Sequence, residues 1–203
     1  MTIQPSTILA VTGGIACGKT EAGRRFAEEG FAVLDTDLLA HEVMKKGTPV
    51  FERVVENFGK TILSATGEMD RTQLGNLVFA DPEARKTLNG LVHPAVISAA
   101  EQWKAEQHSD AVILIPLLFE VDWTQGWDAI VCVSADEERV FQRLEKRGLN
   151  EDEARKRIAA QMPLSEKEAK ADFVIRNNET LNALREETSR VIKCIRSRGN
   201  AHE

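Results

Sequence analysis

The chain has 203 residues, room for one core or a core with an insertion, and its 29% charged residues are ordinary for a water-soluble globular protein. A net charge of -6 argues against a general nucleic-acid binder, which needs an excess of Lys and Arg to meet phosphate backbones. Three dispersed cysteines, Cys17, Cys132 and Cys194, rule against a disulfide framework or a zinc site, and no apolar run approaches the ~20 residues that span a bilayer.

The first element in chain order is a short apolar run, Thr7 to Thr12, that stops at Gly13-Gly14 and reads as a buried strand. Lys19 to Glu29 reads as a helix stopped by Gly30. A second strand is expected over Phe31 to Leu34, followed by a helical pattern from Leu38 to Met44. The roughly seventy residues between the second and third strands read as helix alone. Phe51, Val54, Val55 and Phe58 share one helical face, and Asp81-Pro82 offers a cap followed by the proline that a first helical turn accepts. Leu88, Leu91, Val92 and Ala95 continue that spacing toward Trp103. Further strands are expected at Ala111 to Ile115, Ala129 to Val133 and Phe173 to Ile175. Capping boxes are expected at Asn150/Glu153 and Ser165/Glu168, and Ser197 to Glu203 reads as a frayed tail. Strands alternating with helices imply an α/β fold with a parallel five-stranded sheet and helices on both faces. The start, Met1 to Ser6, lacks a basic signal-like region, so cytoplasm is the expected location.

Residues 13–20, G-G-I-A-C-G-K-T, match G-x-x-x-x-G-K-[ST] at every fixed position. The glycines let the backbone curl so that successive N–H groups converge on phosphate, and a helix starting at Lys19 adds its positive end. Lys19 is expected on the β- and γ-phosphates and Thr20 on Mg²⁺. The loop follows an expected strand and opens an expected helix, the context that separates a working phosphate loop from a chance match. A guanine-reading N-K-x-D motif is absent, as is the L-S-G-G-Q of transporter ATPases. A small-molecule kinase is the reading that remains.

A kinase must position an acceptor hydroxyl and neutralise the migrating charge. Asp35-Thr36-Asp37 closes the second strand, where parallel sheets gather ligands, and Asp35 and Asp37 would face alike if extension persisted. One carboxylate would take the acceptor proton; an N-cap at Asp37 is the alternative. Arg139, Arg143 and Arg147 are spaced by four. Arg139 reads as part of a solvated ion-paired face, whereas Arg143 and Arg147 read as a mobile lid, so that Arg143→Ala should reduce turnover far more than stability.

Seven segments in this order make the chain resemble the dephospho-coenzyme A kinase family: residues 12–20 (T-G-G-I-A-C-G-K-T), 35–43 (D-T-D-L-L-A-H-E-V), 91–94 (L-V-H-P), 115–120 (I-P-L-L-F-E), 143–147 (R-L-E-K-R), 157–162 (R-I-A-A-Q-M) and 171–178 (A-D-F-V-I-R-N-N). They span nearly the whole chain. The resemblance implies phosphoryl transfer from ATP to the ribose 3′-hydroxyl of dephospho-coenzyme A, with Mg²⁺. It implies a P-loop core over about residues 1–37 and 110–203, a helical coenzyme A domain over about 38–109 and a lid over about 143–160. Carried over residue by residue, Asp37, Lys19 and Arg143 are the expected catalytic residues. Gly13, Gly14, Ala16, Cys17, Gly18, Lys19, Thr20, Glu21, Arg143, Arg147 and Asn177 are expected at ATP. Thr12, Asp37, His41, His93, Leu117, Leu118, Phe119, Glu120 and Arg157 are expected at the acceptor, and Thr20 at the metal. The expected partners are ATP and dephospho-coenzyme A, with no nucleic acid or membrane, in a monomer or weak homo-oligomer. The alternatives are another small P-loop kinase, acting on a nucleoside, nucleotide or sugar acid, and a non-catalytic nucleotide-binding regulator. Cys17 stands where similar loops often have Ser, and its place by a helix N-terminus suggests a lowered thiol pKa and labelling that ATP blocks. Glu21 stands where a second small hydroxyl residue is common.

Overall fold

The computed structural model describes residues 6–199; the start and end of the chain read above, 1–5 and 200–203, lie outside the described residues. Chain contacts divide it into two units, one ending at Asp35 and resuming at Gln107, the other Thr36–Glu106.

The first unit holds five strands: β1 (Ile8–Gly13), β2 (Ala32–Asp35), β3 (Ala111–Leu114), β4 (Ala129–Ser134) and β5 (Phe173–Arg176). They form one parallel sheet in the order β2-β3-β1-β4-β5. Leu9, Ala10 and Val11 are consecutive and all fully buried, so the sheet is covered on both faces and its strands need no polar alternation. Helix α1 (Lys19–Glu28) lowers Phe26 into this core and α9 (Leu181–Gly199) adds Leu184, Val191, Ile192 and Ile195. Arg25 and Arg185 both reach Glu28 at 2.9 and 2.5 Å, linking α1 to α9 by charge at the surface.

Aspartates set the starting edge of the sheet. Asp110 accepts from the Thr7 N–H, Asp128 from that of Ile8 and Asp172 from that of Ile130, which satisfies donors left open where strands begin. The opposite, carboxyl edge is left for loops that can hold a ligand.

Three further helices of this unit are α6 (Glu137–Glu145), α7 (Glu151–Ala159) and α8 (Leu164–Lys170). Helix α7 has the expected capping box, the Asn150 side chain meeting the Glu153 N–H and the Glu153 carboxylate the Asn150 N–H. The box expected at Ser165 does not form. Pro163, with φ of -48°, already sets the helical entry, and α8 starts at Leu164. Of the tail expected to fray from Ser197, residues 197–199 are instead helical, because α9 runs on to Gly199.

The second unit is helical: α2 (Thr36–Val43), α3 (Pro49–Phe58), α4 (Arg71–Ala80) and α5 (Pro82–Ala105), with a 3₁₀ turn at Lys60–Ile62. Thr48, Asp70 and Asp81 cap α3, α4 and α5 through their side chains. Its own core is Val54, Ile62 and Leu74, with Phe58, Leu77 and Leu91 packed around them. His93 and Pro94 lie within α5.

Candidate active site

β1 ends at Gly13 and α1 begins at Lys19 after residues 14–18, so the phosphate loop sits on the carboxyl edge of the central strand. Two of its glycines are required by close approach. A Cβ on Gly13 (φ +142°) would stand 2.0 Å from the Val133 carbonyl oxygen, and one on Gly18 (φ +107°) 2.3 Å from Asn177 Nδ2. Ala16 adopts a left-handed φ of 56°, a conformation that L-residues adopt only when their surroundings hold it there.

Those surroundings are visible. Arg143 donates to the Ala16 carbonyl at 3.1 Å and the Asn177 carbonyl at 2.8 Å, with a longer contact of 3.5 Å to Cys17. Asn177 Nδ2 donates to the Cys17 carbonyl at 2.8 Å. Holding these carbonyls outward is what turns the loop's N–H groups toward a bound anion. Lys19 Nζ lies over the mouth of the loop, donating to the Gly13 and Gly14 carbonyls at 3.0 and 2.8 Å.

Arg143, expected in the lid, is placed against the phosphate loop itself. It is half-buried on α6 and fastened to three backbone oxygens, a brace beneath the loop. Arg147 and Arg157 are exposed, the first in the turn after α6 and the second on α7. Asn177, expected at ATP, also serves the loop from below.

Cys17 overturns the expectation of a reactive thiol. It is fully buried, and that burial pushes its pKa up, outweighing the lowering by Lys19 and Arg143. Glu21 turns its carboxylate to Arg24 at 2.7 Å and Arg185 at 3.6 Å. Thr12 is fully buried in β1, its hydroxyl donating to the Pro116 carbonyl at 3.5 Å.

The segment after β3 turns at Pro116. Leu118 and Phe119 point into the core, Leu117 is half-buried, and the Glu120 side chain is 20% exposed. Glu120 accepts from the Met162 N–H at 2.9 Å and pairs with Lys167 at 2.7 Å. Neither Lys167 nor Gln161, whose carboxamide oxygen accepts from the Ile15 N–H at 3.0 Å, was marked by the sequence. Gln161 lay inside the R-I-A-A-Q-M segment; Lys167 had no signal beyond a charged helix.

β2 ends at Asp35 and α2 begins at Thr36, so the alternation that would make Asp35 and Asp37 face alike stops between them. Asp37 is in the first turn of α2 and not its cap, at an end where a carboxylate is electrostatically favoured. Within the helical unit, His41, Lys45 and Arg71 rim a cavity of about 380 Å³ whose wall includes Met44, Leu74 and Val78. His93 is partly buried on α5, and desolvation lowers its pKa, which keeps the ring neutral at pH 7.

A parallel sheet of order 2-3-1-4-5, with a phosphate loop after its first strand, defines the P-loop kinases of small molecules. The model of the family described as dephospho-CoA kinase matches residues 7–183. A dephospho-CoA kinase of Arabidopsis thaliana is 42% identical over 195 residues, covering 93% of this chain and 84% of the relative. Among solved structures, a Thermus thermophilus protein superposes with a TM-score of 0.77 at 31% identity, covering 94% of this chain and 97% of its own. The dephospho-CoA kinase of Campylobacter jejuni gives 0.64 at 26%, with the same coverage. The chain belongs to the dephospho-CoA kinase family.

Proposed function

We propose that this chain transfers the terminal phosphoryl group of ATP to the ribose 3′-hydroxyl of dephospho-coenzyme A, with Asp37 as the base that takes the hydroxyl proton. As a member of its family the chain is a transferase, an ATP-dependent kinase forming coenzyme A. The observation that carries the site is the phosphate loop, whose carbonyls are held outward by Arg143 and Asn177. Phosphoryl transfer demands little covalent work from a protein, so positioning and charge carry the rate. Lys19 exchanges its carbonyl partners for the β- and γ-phosphate oxygens when ATP enters. Gly13, Gly14, Ala16 and Gly18 present backbone to the phosphates, and Arg147 and Arg157 supply exposed cations within the proposed lid.

Among the described residues no group of three or more His, Cys, Asp or Glu side chains is placed to hold a metal ion. The Thr20 hydroxyl is the protein group proposed for a divalent cation. That suits Mg²⁺, which keeps several waters, binds through phosphate oxygens and neutralises the charge that develops on them.

The helical unit, Thr36–Glu106, is the proposed coenzyme A domain. Its cavity sets Lys45, Arg71 and His41, together with Glu68, beside an apolar wall. Dephospho-coenzyme A matches both, with a diphosphate at one end and a long uncharged arm at the other. No helix among the described residues is long and apolar enough to cross a membrane.

The test is ADP release from folded, ATP-binding protein, comparing dephospho-coenzyme A with a panel of nucleosides, nucleotides and sugar acids. Stimulation by dephospho-coenzyme A alone is expected. Stimulation by a nucleoside or sugar acid instead would move the chain to another kinase class, and none by any acceptor would leave a non-catalytic nucleotide binder.

A further inference from the structure

Lys167 is fully buried, and it is the only buried lysine or arginine among the described residues. Its Nζ lies 2.7 Å from Glu120 Oε1 and donates to the Pro116 carbonyl at 2.8 Å. A buried charge is expensive, and an apolar side chain of similar volume would fill the same space without the desolvation cost. What the ion pair adds is fixed geometry: it holds one carbonyl and one carboxylate of the segment that leaves β3.

The same carboxylate reaches further. Glu120 Oε1 accepts from the Met162 N–H, and the residue before Met162, Gln161, accepts from the Ile15 N–H of the phosphate loop. Two adjacent residues at the junction of α7 and α8 are thus tied, one to the phosphate loop and the other to the segment after β3. Thr12, at the end of the strand that feeds the loop, meets the same Pro116 carbonyl as Lys167. Lys170 stands 5.8 Å over the Phe119 ring, so α8 grips the segment at a second point.

We propose that Lys167 is a positioning residue for phosphoryl transfer: by fixing Glu120 and Pro116 it sets the segment after β3 and the root of α7 against the phosphate loop. The inference rests on the kinase reading above and goes beyond it. Glu120 then acts through Met162 and Lys167 as well as at any acceptor.

The test compares Lys167→Met, Glu120→Gln and the double variant with wild type. It reads kcat and KM for dephospho-coenzyme A, the ATP dissociation constant and Tm. Misplacement near 1 Å can cost about 10²-fold in rate. Lys167→Met is therefore expected to lower kcat at least about tenfold, while ATP affinity stays within about twofold. Glu120→Gln keeps an oxygen for Met162 but leaves Lys167 without its counter-charge; it should lower both Tm and kcat. The double variant removes both charges, so Tm recovers while kcat stays low. Recovery of kcat together with Tm would overturn the proposal, because the pair would then serve stability alone. A Glu120→Gln variant that raises only the acceptor KM would also overturn it, as would wild-type kcat in that variant, which decides the matter if Lys167→Met does not fold. A wild-type protein inactive on dephospho-coenzyme A would instead refute the kinase reading, so the two failures are distinct.

Discussion

Replacing Arg143 by Met removes the guanidinium and keeps most of the buried stem. Two charge-assisted hydrogen bonds disappear, to the Ala16 and Asn177 carbonyls, with the weaker contact to Cys17. Hydrogen bonds to charged groups contribute about 1.5–3 kcal/mol each, and this site is only half-buried, so the low end applies. The loss is then about 3 kcal/mol. For a chain of this size that corresponds to a Tm drop of about 6–12 °C. Ala16 loses the contact that helps keep it at a left-handed φ, and the loop must be ordered again when ATP arrives. Fixing two residues costs about 2–3 kcal/mol, a rise in the ATP dissociation constant of about 30- to 150-fold. Scanning calorimetry and titration with a fluorescent ATP analogue measure the two effects. Unchanged Tm and ATP affinity with a collapsed kcat would refute the brace and return Arg143 to the transferring phosphoryl group.

Three further outcomes follow from the same structure. Gly18→Ala places a methyl group 2.3 Å from Asn177 Nδ2 at a φ of +107°, so ATP binding should fall below detection by titration while Gly30→Ala, with open space around it, leaves ATP affinity near wild type. Native protein should expose one thiol to a colorimetric thiol reagent, Cys194, because Cys17 and Cys132 are buried with raised pKa values, that of Cys132 to about 12; a second fast thiol that MgATP suppresses would contradict this. His93 has a lowered pKa from burial, so its unfolded form binds protons first as pH falls; stability from this residue is intact above pH ~6.5 and is lost on descending through the folded pKa. Chemical denaturation of His93→Asn should show a shallower acid limb, and an unchanged limb would remove the residue from the effect.

The strands and the phosphate loop were legible in the sequence because their signals are local. An apolar run ending in two glycines needs both faces covered, and G-K-T after such a run has one common use. Asp81 and Asn150 were legible for the same reason, since a cap is decided within four residues. What was not legible depends on distant partners. Arg143 has the spacing of an exposed helix face, and its contacts appear only once the fold brings residues 16 and 177 within reach of it. Cys17 was read from the helix dipole, yet the loop folds it wholly out of water and desolvation dominates. The Asp35/Asp37 alternation failed because α2 begins one residue after β2 ends. Lys167 sits in L-S-E-K-E-A-K, a composition that signals solvent, and only the tertiary fold reveals a buried charge.

The most direct test of the central claim is the identity of the product. Phosphorus NMR of a reaction with ATP, Mg²⁺ and dephospho-coenzyme A should show ADP and one new phosphomonoester coupled to the ribose 3′ position, formed in equal amounts. Asp37→Asn should abolish the monoester signal while ATP still binds. ADP without a new monoester, or a phosphate at any other position, would contradict the account.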